Sequence, residues 1–143
     1  QRSKSNLPLD THQRVNTETF LLRRTKRVAL ALERLRERLE RPVLTREAFE
    51  WRLRGPVGPL ALARAFLKEA RSAGEAAFFL AELALTLKRV RAACAAEGGL
   101  RVEAVRACLT ACLADIAALL PTPKVGHSPI DRYVRRAFAE AKR

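Results

Sequence analysis

A chain of 143 residues and 16.0 kDa, 48% hydrophobic, is the length of one ordinary domain and holds enough apolar material for a core. Its net charge of +13 calls for a polyanionic neighbour such as RNA, DNA or an anionic membrane surface, although charge of itself specifies no fold. Three cysteines exclude a disulfide framework and fit a reducing compartment, and the longest stretches without Lys or Arg, Ser72–Leu87 and Ala107–Pro123, are too short to span a membrane.

Residues 1–16 are polar, broken by Pro8 and without periodicity, and they read as an extended basic N-terminal arm. An arm with so little to bury needs a partner to tie it down. The chain neither begins with nor contains Met, which predicts a processed or partial form.

From residue 17 onwards the pattern predicts a single helical domain, 17–143. The first helix is expected from Thr17 to Glu40, with Leu21, Val28, Leu32, Leu35 and Leu39 at heptad-like spacing and Thr25 filling the remaining seam position. Arg41-Pro42 ends it. Thr45 caps a short helix through Arg54, and Gly55-Pro56-Val57-Gly58-Pro59 forces a turn. Pro59 opens a helix ending near Arg71.

Ser72 and Glu75 form a capping-box pattern ahead of a helix reaching Ala96, where Gly98-Gly99 stops it. Its seam is Leu80, Leu83, Leu87, Val90 and Cys94, while Phe78, Phe79 and Leu85 add apolar surface on other sides, so its first half is enclosed. The next helix, Arg101 to Leu120, places Val102, Val105, Leu109, Cys112, Ile116 and Leu119 on one seam. After the linker ending in His127, Ser128-Pro129-Ile130-Asp131 opens a last helix with Ile130, Tyr133, Val134, Ala137, Phe138 and Ala141 on its apolar face. No strand pattern competes. The expected fold is all-α: an antiparallel helical bundle of five to six helices, with the arm ahead of it.

The charge is unevenly spread. Residues 1–54 hold 14 basic and 7 acidic side chains, residues 55–120 hold 8 and 6, and residues 121–143 hold 6 and 2. A nearly neutral middle with basic ends predicts a rigid body whose outer elements touch phosphate. The expected RNA-binding residues are Arg2, Lys4, Arg14, Arg23, Arg24, Lys26 and Arg27 at one end, and Arg132, Arg135, Arg136, Lys142 and Arg143 at the other. Around Arg23-Arg24-Thr25-Lys26-Arg27 no acid lies close, whereas the mixed signs from Glu33 to Arg41 suit a solvated face.

No chemistry stands out. Cys108 and Cys112 share a helix face, but the remaining soft ligands are Cys94, His12 and His127, and no second half-site accompanies the pair, so core packing is the better reading and no metal or cofactor is expected. Glu82 and Asp115 could face each other as an acid–base pair, but a helix surface or a nearby Arg suits each better. The two helices at 45–71 resemble a helix-turn-helix in outline, yet the second opens with Leu60-Ala61-Leu62-Ala63, which cannot read base edges. Trp51, among Arg46, Arg52 and Arg54, could stack on an unpaired base; covering the bundle end suits it better.

The expectation is therefore a non-catalytic structural subunit of a large ribonucleoprotein, most concretely a mitochondrial ribosome on the matrix side. Its partners would be the RNA phosphate backbone and neighbouring protein subunits, with no small-molecule substrate. Two alternatives stand beside it: an accessory structural subunit of a mitochondrial inner-membrane respiratory or ATP synthase complex, with basic ends at the membrane surface, and a sequence-indifferent DNA-binding domain.

Overall fold

The computed structural model describes residues 26–94, 100–121 and 129–143. The chain divides into two compact units, residues 1–31 and 32–143. Among the described residues the secondary structure is helical, with turns between helices and no strand. The expected arm and the first nine positions of the first expected helix lie outside the described residues, as do the stop at Gly98-Gly99 and the cap at Ser128.

Helix α1 is helical over 26–39. Within the larger unit its Leu32, Leu35 and Leu39 are buried, as their heptad-like spacing predicts, and Arg36 pairs with Glu33 at 3.1 Å and Glu40 at 3.3 Å on the outer side. The carbonyls at its C-terminal end are collected by one side chain. Arg52 donates to the carbonyls of Arg41 and Pro42, just past the helix, and to that of Arg38, which also takes the Arg41 N–H at 3.4 Å.

Helix α2 (Arg46–Arg54) starts where Thr45 Oγ1 accepts from the Ala48 N–H at 3.1 Å, and it buries Phe49 and Leu53. The turn to α3 (Pro59–Glu69) is tight because Gly58 lies directly against the carbonyls of Arg52 and Leu53, where a Cβ has no room. Pro59 takes the first position of α3, as expected. Helix α3 stops at Glu69, slightly short of Arg71, because Ala70 turns extended and the next residues cap α4. Ser72 Oγ accepts from the Glu75 N–H at 3.0 Å, and the Glu75 carboxylate accepts from the Arg71 N–H at 2.8 Å.

Helix α4 (Ala73–Cys94) is the centre of the fold. Ala76, Phe79, Leu80, Ala81, Leu83, Ala84, Thr86, Leu87 and Val90 are buried, which covers most of its circumference. Phe66 of α3 packs on Phe79 with ring centroids 5.4 Å apart. The Thr86 hydroxyl, buried among these groups, donates to the Glu82 carbonyl. Cys94, expected in the buried seam, is only half-buried, since the core thins at the end of the helix; its thiol faces the Leu39 carbonyl.

Helix α5 (Val102–Ala117) buries Val105, Cys108, Leu109, Cys112, Leu113 and Ile116, and its last residues tighten into short turns at Leu119 and Leu120. Helix α6 (Pro129–Lys142) buries Val134, Ala137, Phe138 and Ala141 and packs most extensively on α4. Contacts pair Glu82 with Tyr133, Lys88 with Glu140 and Arg91 with Ala141, so α6 runs in the same sense as α4, as an up-down-up order through α5 requires.

Candidate nucleic-acid interface

Burial of Val134, Ala137, Phe138 and Ala141 fixes the rotation of α6. Residues three and four apart on the opposite side then face solvent together: Arg132, Arg135, Arg136, Lys142 and Arg143, all exposed. The packing that stabilises the helix thus also turns its cations outward.

At the C-terminal end of α6 this face runs into a groove of about 440 Å³. Its walls are Lys88, Arg91 and Ala92 of α4, Arg106 and Thr110 of α5, Lys142 of α6 and Arg143 just beyond it. Two of the cations are fastened. Arg91 Nη2 donates to the Ala141 carbonyl at 2.7 Å, and Lys88 Nζ meets the Glu140 carboxylate at 2.6 Å. Glu140 also takes Arg143 at 3.2 Å. The hydrogen bond from Lys88, its charge and that of Arg143 hold the Glu140 carboxyl below the usual carboxylate range. Arg106 and Lys142 make no ion pair among the described residues.

Of the residues expected from sequence, Lys142 and Arg143 enter the groove, and Arg132, Arg135 and Arg136 form the face leading to it. Lys26 and Arg27 are exposed on the described part of the first unit. Arg2, Lys4, Arg14, Arg23 and Arg24 lie outside the described residues. Sequence reasoning missed Lys88, Arg91 and Arg106 because they belong to the segment whose charges nearly cancel. A signal was present within the helix: α4 carries its acids, Glu75 and Glu82, before its cations Lys88, Arg89 and Arg91. An antiparallel neighbour then brings Arg106, near the start of α5, to the basic end.

The other candidates take structural positions. Asp115 accepts from Arg54 at 2.6 Å, and Arg54 also pairs with Glu50, so Asp115 and Glu82 have separate partners. Cys108 and Cys112 are buried; burial first, and then the nearby Glu50 carboxylate, pushes the Cys108 thiol up, while burial pushes that of Cys112 up to about 12. Among the described residues no group of three His, Cys, Asp or Glu side chains is placed to hold a metal ion. Pro59, Leu60 and Ala63, at the start of α3, are buried and out of reach of a base edge. Trp51 is 67% exposed with its ring against Gly55, covering less of the bundle end than its sequence context predicts. Among the described residues no helix is long and apolar enough to cross a membrane. Comparison with family models, curated proteins and solved structures returned no match.

Proposed function

We propose that this protein is a non-catalytic structural subunit of a large ribonucleoprotein, most concretely a mitochondrial ribosome, in which its cations neutralise RNA phosphates while the helical body serves as a rigid support. The observation that carries this reading is the two-sidedness of α6: one face is spent on packing against the core, and the other presents Arg132, Arg135, Arg136, Lys142 and Arg143 to solvent. Such a face suits phosphate contacts, which fix register without reading sequence. Arginine, at 22 residues against 6 lysines, adds a planar donor fork matched to phosphate oxygens. Because Val134, Ala137, Phe138 and Ala141 are covered within the fold, α6 keeps only Ile130 and Tyr133 as exposed large apolar groups, little surface to insert into a membrane.

Filter binding to an RNA oligonucleotide across a salt series tests the reading. Log affinity should fall linearly with log salt, with a shallower slope after charge removal at Arg132 and Arg136. Affinity indifferent to salt would refute it. In cell extracts, ribonuclease rather than detergent should release the protein from its parent particle.

A further inference from the structure

We infer that the groove between α4, α5 and α6 is a binding site for closely spaced phosphates: the di- or triphosphate of a small ligand, or a sharp bend of a phosphodiester backbone. The inference goes beyond the open face of α6. That face is an exposed strip suited to an extended backbone, whereas the groove draws five cationic side chains from three helices around one concavity.

Packing does not require this arrangement. Leu83, Leu87, Val90, Leu109 and Phe138 are buried in the apolar core of α4, α5 and α6; at the rim Lys88 and Arg91 tie α4 to α6, whereas Arg106 and Lys142 are exposed and outside that core. Lys88, Arg91, Arg106, Lys142 and Arg143 instead bring like charges together, and Glu140 is the one carboxylate paired with any of them among the described residues. Each cation disfavours its neighbours until an anion enters.

The size and lining decide what that anion is. About 440 Å³ lies within the range of small-ligand clefts. A single phosphate would leave most of it empty and could not reach all three helices. Two or three linked phosphates could be met from α4, α5 and α6 at once, with the Thr110 hydroxyl as a further donor. Part of the site is built in advance: the Arg91–Ala141 and Lys88–Glu140 contacts hold two cations in place, so little ordering remains for them on binding. Arg106 and Lys142, without such ties, can close on the ligand.

Titration calorimetry and thermal shift on the full chain, with sodium tripolyphosphate as the probe and sulfate at matched ionic strength as the control, test the site. Tripolyphosphate should bind and raise the melting temperature more than sulfate does. The exposed pair Arg106→Gln/Lys142→Gln should weaken tripolyphosphate by about ten-fold or more, and Arg132→Gln/Arg136→Gln on the outer strip by no more than about two-fold. Equal losses in the two variants, or binding no tighter than sulfate, would overturn the inference. A competition arm with an RNA oligonucleotide separates the sources. Displacement of tripolyphosphate by RNA, with RNA binding weakened in the groove variant, assigns the groove to a bend of RNA; tripolyphosphate binding that RNA leaves untouched assigns it to a small polyphosphate. The salt dependence of RNA binding stands apart from the tripolyphosphate arm, so either reading can fail alone.

Discussion

The phenol of Tyr133 donates to the Glu82 carboxylate and its ring packs on Phe78 with centroids 5.5 Å apart, so the first turns of α6 are fastened to α4 by the only tyrosine in the chain. Burial, and then the Glu82 carboxylate that accepts its hydrogen bond, pushes this phenol up to about 12 from the ordinary value of 10.0. The native state therefore holds the Tyr133 proton more tightly than the unfolded chain does. The stability this contributes is present below about pH 10 and is lost as pH rises towards about 12. Ultraviolet absorbance titration of the phenolate follows this one group without interference from another tyrosine. Native protein should ionise well above the denatured control, and Glu82→Gln should bring the midpoint down. Coincident native and denatured curves would disprove the contact.

Two glycines should respond with opposite sign to the same substitution. A Cβ at Gly58 would meet the backbone carbonyls of Arg52 and Leu53, which cannot move aside, so Gly58→Ala should cost about 1–3 kcal/mol. At Gly74 in the first turn of α4 the nearest atoms are Ser72 Oγ at 3.9 Å and Ile130 Cδ1 at 4.0 Å, so Gly74→Ala should stabilise by about 0.4–1 kcal/mol. Urea midpoints with unchanged slopes would report both.

Arg52 reaches more acceptors than any other side chain at the end of α1. Arg52→Ala should destabilise by about 1–2 kcal/mol, because the last carbonyls of that helix lose their cationic donor. The exposed Arg34 is the control, and its truncation should change stability by less than about 0.5 kcal/mol. Equal effects at the two positions would remove the capping role.

The legible part of the fold was the part governed by local rules. Thr45 and the Ser72–Glu75 pair mark helix starts through hydrogen bonds that close within four residues, Pro59 does so through its fixed backbone angle, and all three act as expected. Seam residues such as Leu35, Leu87 and Leu109 are buried because their spacing allows one face only. The groove was illegible for the converse reason. Lys88 and Arg106 are separated by a helix end and a loop, and only packing brings them together; net charge over 55–120 averaged them against Glu75 and Asp115, which lie elsewhere. Arg52 gave no signal either, since its acceptors are backbone carbonyls at a distant turn.

Thiol chemistry should divide the three cysteines. Cys94 is half-buried, while Cys108 and Cys112 are enclosed with thiols that resist ionisation. A disulfide reagent at mildly alkaline pH should modify Cys94 first, with the other two following only at the rate of unfolding. In denaturant all three should react together. Fast native modification of Cys112 would contradict its placement in the core.

Trp51 rests its ring on Gly55 and leaves the rest to water. The sole indole is thus already hydrated in the native protein, and its emission should sit towards the red and shift little when the core melts. Fluorescence will be a poor thermometer for this fold. It will be a sensitive lamp for whatever settles on that corner of the molecule.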